Sequence, residues 1–381
     1  MIYNKDKKNL FDSWWNSIDR LTLLMLISLI IFSMVMVSTA SPAVADRIGV
    51  ESFFFIRKQF VYLTIAIFMM VAISFLSLEN IKRFALIVFI LCLISLVMVL
   101  LIGTEVKGSK RWLYLAGISL QPSEITKPVF AVVTAYILSV NYNNIEYFNF
   151  KLSAVIYGIL VILLILQPDF GMVVTVSTVW GGQLFLAGLS IMFILAIVTF
   201  AITGVIGAYC YLPHVTKRID SFLSPDKSEN YQIKKSLEAF LNGGVLGKGP
   251  GEGTVKQSLP DSHTDFIFAV IGEEFGAIVC FIVILIFAFI VIRGIVRVMY
   301  KNDKFVILAT SGLLMQFGFQ AMINIGVALH MFPTKGMTLP FISYGGSSII
   351  ATSIGMGMVL AMTKKRYGTI KIGVKEYRLN G

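Results

Sequence analysis

Apolar runs of roughly 17 to 25 residues recur along almost the whole chain, each long enough to cross about 30 Å of hydrocarbon as a helix. A chain built this way has the bilayer as its solvent. Hydrophobic residues make up 57% of it and charged residues 14%, which excludes a water-soluble protein with a polar exterior. The runs fall near 21–40, 60–78, 84–102, 125–140, 152–167, 170–188, 190–212, 266–292, 305–330 and 341–362. They predict an all-α, polytopic membrane protein with about ten transmembrane helices. Pro128, Pro168 and the Gly181–Gly182 pair interrupt the fourth to sixth runs, a pattern that survives where neighbouring helices satisfy the freed backbone groups. The first run is too long for a typical cleaved signal segment, although the small residues Ala40, Ser41, Ala43 and Ala45 follow it. The expected organisation is a cytoplasmic N-terminal segment 1–20, a helix bundle 21–362 and a basic cytoplasmic tail 363–381. A large periplasmic loop, 213–265, separates helices seven and eight.

Lys and Arg in the connections set the orientation. With ten helices both termini share one side. That side receives Lys5, Lys7, Lys8 and Arg20, then Lys82 and Arg83, then Arg293, Arg297, Lys301 and Lys304, and finally the tail from Lys364 to Arg378. It is therefore expected to be cytoplasmic. Two external segments break the asymmetry. One carries Lys107, Lys110 and Arg111 with Lys127 just beyond, and the other is 213–265 with Lys217, Arg218, Lys227, Lys234, Lys235, Lys248 and Lys256. Long loops cross a membrane whatever their charge; the alternative is that these cations meet an anionic group outside, as phosphate binding requires.

Four constellations could carry chemistry. In GSKRWLYLAGISLQPSEITKP, residues 108–128, Glu124 and Lys127 are three apart, so a helix opened by Pro122 presents both on one face. They form an ion pair at the membrane lip, or Lys127 joins Arg111 on a phosphate. In LQPDFG, Asp169 either caps the next helix or acts as an ionisable group at membrane depth. In LNGGVLGKGPGEGTVKQSLPDSHTDFIFAVIGEEFG, the glycines do not form GxxxxGK[ST], so no nucleotide site is expected. Asp265 stands where this segment enters the eighth helix, as an N-cap or as a reactive carboxylate. Glu273 lies eight residues on, near the same face and about 12 Å deeper, and either it or Glu274 could pair with a cation from another helix. In PTKGMTLPFISYGGSS, Pro333, Gly336, Pro340 and Gly345–Gly346 predict irregular, re-entrant backbone, with Lys335, Ser343, Tyr344, Ser347 and Ser348 lining a polar cavity or packing closely through small residues. Cys92, Cys210 and Cys280 and the three histidines, His214, His263 and His330, show no metal or disulfide spacing.

The stretches RWLYLAGISLQPSEITKP, QPDFG, LPDSHTDFIFAVIGEEFG and NIGVALHMFPTKGMTLPFISYGGSS resemble, in order and over nearly all of the chain, the SEDS family (shape, elongation, division and sporulation) of peptidoglycan polymerases. DSWWNSIDR, ASPAVADRIG and GKGPGEGTVKQSLPDSHTDF are similar to its division branch more than to the elongation branch. The resemblance implies a peptidoglycan glycosyltransferase that polymerises lipid II, an undecaprenyl-diphosphate-linked disaccharide pentapeptide, at the outer face of the bacterial inner membrane. It implies that Asp265 is essential, and that Arg111, Glu124, Lys127, Asp169, Lys335 and Ser343 belong to the site. It also implies a class B penicillin-binding transpeptidase and other division membrane proteins as partners, and no nucleic acid. His330 departs from the family pattern, where a small or apolar residue is expected.

Inverting sugar transfer from a lipid diphosphate needs a base near the acceptor hydroxyl and cations near the leaving group. The expected roles are Asp265 as general base, with Arg111, Lys127 and Lys335 neutralising the diphosphate. Glu124, Asp169 and Glu273 would be supporting acids, with a divalent cation, Mg or Mn, bridging to an acid such as Glu124. A lipid II flippase is the rival, because transporters also use broken helices and intramembrane charge. The clustering of acids and cations on the outer side favours the enzyme. A division scaffold is a third reading, compatible with catalysis.

Overall fold

The computed structural model describes residues 10–106, 109–115, 118–140, 148–211, 216, 220, 231–333 and 336–365. Lys335 lies outside the described residues, as do Lys107, Lys217, Arg218, Lys227 and His214. Every predicted apolar span is a helix: α2 Arg20–Ile48, α3 Phe54–Ser74, α4 Leu78–Ile102, α5 Pro122–Ser139, α6 Phe148–Leu166, α7 Phe170–Leu186, α8 Ile191–Tyr211, α10 Ile267–Met299, α11 Lys304–Ala328 and α12 Gly346–Met362. Among the described residues two more, α1 Leu10–Ser17 and α9 Tyr231–Gly243, are short and amphipathic. By length and composition α2, α3, α4, α6, α10 and α11 are able to cross a membrane, and α7 and α12 are shorter apolar helices.

Helix α5 is the hub, packing against α4, α11, α12, α7 and α6, and it is buried along almost its whole length. Pro122 sits in its first turn, where the missing N–H is no loss. Helix α12 packs mainly on α3, and α11 lies between α5 and α10. Helix α2 outruns its predicted end because Val44 and Ala45 pack with Phe55, and it stops at Gly49, whose left-handed φ of 70° lets Val50 donate back to the Ala45 carbonyl. His330 terminates α11 in the same way. Its φ is 59°, its N–H reaches Val327 O, and Met331 N reaches Gly326 O, so the departure from the family pattern falls on a helix cap.

The stretch after α4, expected as plain loop, folds into an antiparallel meander of β1 Thr104–Val106, β2 Ser109–Leu115 and β3 Ile118–Leu120. Sequence periodicity missed it because β1 and β3 are three residues each and, among the residues of β2 whose burial is described, Leu113 alone is deeply buried, so the alternation is too short to register. It returns the chain to the bundle, where Gln121 N donates to Ser347 Oγ at 3.0 Å.

The predicted eighth helix, α10, is broken. Gly276 adopts φ 79° and ψ 178° inside it. The freed groups are satisfied by the glycine-rich segment: Lys248 N and Gly249 N donate to the carbonyls of Glu273 and Glu274, and Ala277 N and Ile278 N donate to those of Gly244 and Val245. The approach is so close that a Cβ on Gly276 would lie 2.3 Å from Val245 O, and one on Gly247 2.3 Å from Glu274 O.

Candidate functional site

Asp265 is half-buried, immediately before α10, whose N-cap is Phe266. Its segment is held through the backbone. Asp265 N donates to Asp261 O, and Asn324 Nδ2 of α11 donates both to Asp265 O (2.8 Å) and to Met337 O (2.6 Å). The Asp265 carboxylate faces the irregular segment that follows α11, with Oδ2 3.2 Å from where a Cβ on Gly336 would stand. A side chain at 336 would crowd the carboxylate.

One turn before Asn324 on the same face of α11, Gln320 performs the parallel task. Its Oε1 accepts from Lys127 Nζ (2.9 Å), while its Nε2 donates to Thr338 O (3.0 Å) and Ser348 Oγ (3.3 Å). Lys127 also pairs with Glu124 at 2.9 Å and is almost fully buried, so both alternatives for this pair meet in one geometry: an ion pair inside a larger polar network. Ser343 Oγ donates to Thr264 O (2.6 Å) and accepts from Leu339 N, and Tyr344 N donates to His263 O. Asp265 and the Glu124–Lys127 pair therefore flank one stretch, residues 336–348, which contains Ser343, and are cross-linked through it. Gln320 and Asn324 were missed by sequence reasoning. Three amides at four-residue spacing, Gln316, Gln320 and Asn324, on one face of a mainly apolar helix were the signal.

His263 anchors this stretch from the other side. Its ring lies 4.7 Å from Phe55 and 5.3 Å from Tyr344, centroid to centroid. Burial, against the pull of Asp261 and with a small push from Arg47, drives its pKa down to about 4, so the imidazole is neutral. Arg47 donates to Leu259 O at 2.9 Å, tying the end of α2 to the same loop.

Arg111 and Asp169 form a second group. The guanidinium donates to the carbonyls of Gln167 and Pro168, with Nη1 3.7 Å from Asp169 Oδ1. Asp169 also caps α7 by accepting from Met172 N. The QPDFG turn thus orients Arg111, and β2, β3 and the start of α5 connect it to the first group.

Glu273 is fully buried and accepts from the backbone N–H groups of Thr254, Val255 and Lys256, while Lys256 pairs with Glu274. These acids hold the 3-10 turn Val255–Gln257, on the path from the glycine-rich segment to Asp265. No three His, Cys, Asp or Glu side chains among the described residues are grouped to hold a metal.

Residues 19–368 match the family described as Cell cycle protein, FTSW_RODA_SPOVE. The probable peptidoglycan glycosyltransferase FtsW of Caulobacter vibrioides is 39% identical over 356 residues, covering 93% of this chain and 91% of that protein. Its namesake from Geobacter metallireducens is 33% identical over 92% of this chain and 96% of its own length. Among solved structures, a chain of a peptidoglycan synthase complex that coordinates polymerization and crosslinking superposes with a TM-score of 0.77 at 25% identity, covering 92% of this chain and 98% of that one. The rod shape determining protein RodA of Thermus thermophilus superposes with a TM-score of 0.68 at 25% identity, covering 92% and 97%.

Proposed function

Because the chain belongs to the FTSW_RODA_SPOVE family of cell cycle proteins, we propose that it is a peptidoglycan glycosyltransferase that polymerises lipid II during cell division. The observation that carries this reading is the network in which Asn324 and Gln320 join the Asp265 segment and the Lys127–Glu124 pair to one irregular stretch, 336–348. An acid and a cation are thereby fixed at the same end of the bundle. In the proposed reaction the acceptor sugar's 4-hydroxyl attacks the donor's anomeric carbon. Asp265 takes the hydroxyl proton, the new glycosidic bond forms, and the bond to the lipid diphosphate breaks.

Arg111, oriented by the QPDFG turn, neutralises the departing diphosphate with Lys335, while buried Lys127 adds charge from behind Glu124. Asp169 keeps Arg111 in place, Glu273 supports the approach to Asp265, and Ser343 holds the stretch beside it. A Mg or Mn ion carried by the diphosphate and met by Glu124 would supply further charge neutralisation. The Asp265 end faces the outside of the bacterial inner membrane, both termini are cytoplasmic, and a class B penicillin-binding transpeptidase with other division proteins completes the machine at the septum.

The test is polymerisation of lipid II by the purified protein with its transpeptidase, followed by gel separation of glycan strands. Asp265→Asn is expected to lose at least about a hundredfold in rate. Parental activity in that variant would overturn the assignment of the base. Lipid scrambling in liposomes without strand formation by the unaltered protein would support the transporter instead.

A further inference from the structure

The glycine-rich segment that repairs the break in α10 ends in an apolar tip. Leu241, at the end of α9, is 84% exposed, and Val245 and Leu246, in the turn that follows, are 63% and 80% exposed. A mobile loop could fold such side chains away, but this one is fixed. Ser236 Oγ donates to Ala328 O, Phe240 packs on Phe268, and four backbone hydrogen bonds clamp 244–249 onto the two sides of Gly276. The tip is therefore held outward by construction.

What it faces follows from continuity. Ile278, whose N–H donates to Val245 O, is 48% exposed, and it begins the outward stripe of α10 that runs on through Phe281 and Ile282. That stripe belongs to a membrane-crossing helix, so its surroundings are acyl chains. Val245 joins this stripe through the Ile278 hydrogen bond, and exposed Leu241 and Leu246 lie in the same short segment. Cations flank it: Lys234 is exposed on α9, and Lys248 follows the tip. A rigid apolar patch edged by lysines is the signature of a segment lying at the boundary of headgroups and acyl chains, with the ammonium groups reaching phosphates.

We propose that the tip of the 241–247 segment is seated in the lipid leaflet at the Asp265 end of the bundle, with acyl chains as its occupant. The segment is thus part of the membrane-embedded body and not a free loop. Through Lys248, Glu273 and the 254–257 turn, its seat in the bilayer is mechanically linked to the stretch leading into Asp265.

The test uses the unaltered full-length protein in vesicles of phosphatidylethanolamine and phosphatidylglycerol doped with a phospholipid carrying a diazirine on its acyl chain. Peptide mapping after illumination should find adducts on 241–246 at a yield comparable to 278–285 and about tenfold above 252–257. A water-soluble diazirine should show the reverse order. Equal acyl labelling of 241–246 and 252–257, or preferential aqueous labelling of 241–246, overturns the proposal. Labelling of 241–246 by neither reagent also overturns it, because another protein surface would then cover the tip.

Discussion

Two aspartates sit at opposite ends of α10, and their surroundings differ in kind. Asp19, beside the C-terminal end, is 1% exposed and saturated with partners: Arg293 donates to both oxygens at 2.8 and 2.9 Å, Arg297 approaches to 2.9 Å, and Thr22 adds a fourth contact. Burial alone would raise its pKa, but the Arg293 and Thr22 hydrogen bonds and the Arg297 charge outweigh it and hold the carboxyl below its usual range. Nearby, Lys365 N donates to Ser17 O and Lys301 Nζ to Lys364 O, so this end ties the residues after α12 to the end of α1 and to the turn after α10. Asp265, before the N-terminal end, stays half-buried, and its carbonyl accepts from Asn324 Nδ2 at 2.8 Å. Asp19 is enclosed by guanidinium groups at the closed end of the bundle, whereas Asp265 borders the irregular segment after α11, its Oδ2 3.2 Å from where a Cβ on Gly336 would stand.

The sharpest way to break this comparison is the matched pair Asp265→Asn and Asp19→Asn. The first should remove at least about a hundredfold of polymerisation while the protein remains folded in detergent. The second should leave the rate per folded molecule intact but destabilise the protein by about 3–5 kcal/mol, because two guanidinium groups lose their anion. Thermal unfolding and strand synthesis on the same preparations check both, and an inactive but stable Asp19→Asn would reverse the assignment.

Acid should separate the two ends next. His263 has a folded pKa of about 4 against about 6.5 unfolded, so the unfolded form binds more protons between those values. Stability at the Asp265 end therefore falls as pH drops through that window, by about 3 kcal/mol over its whole width. The depressed pKa of Asp19 acts lower. Its contribution is complete above the unfolded carboxyl value of about 4 and is lost as pH falls further, through the folded value. Hydrogen exchange at pH 5 should show protection lost in 259–266 and 344 before 14–20 and 363–365, and the opposite order would contradict the burial of a neutral imidazole.

Smaller effects sharpen the picture within the Asp265 end. Gly276→Ala forces a side chain into a left-handed conformation against Val245 O and should destabilise by about 2–3 kcal/mol, with increased exchange in 244–257 and none at Asp19. Gln320→Leu removes an acceptor from buried Lys127 and should lower stability by about 1–2 kcal/mol. The effect on turnover should exceed that on substrate affinity if Gln320 positions rather than binds, and a pure KM effect would argue for direct contact.

The halves of α10 show how much of this was legible. From Ile267 to Glu274 every residue is buried, whereas after Gly276 burial narrows to Cys280, Val283, Phe287, Ile290, Gly294 and Val298, one stripe at helical spacing. Both halves look alike as apolar sequence, and the glycine between them did not announce a break. The kink depends on a partner more than twenty residues upstream, which no local pattern specifies.

The helices at all ten predicted positions and the motifs that mark the candidate site were available from the chain alone. An apolar run either matches the thickness of hydrocarbon or does not, and that is a property of contiguous residues. Packing alone decided that Lys127 is a buried member of a network, that Gln320 and Asn324 bind the site together, and that the glycine-rich segment heals a broken helix. Each of those facts is a contact between residues far apart in sequence. In a bilayer, where apolar burial does little to choose among helix partners, such hydrogen bonds and close approaches select the arrangement.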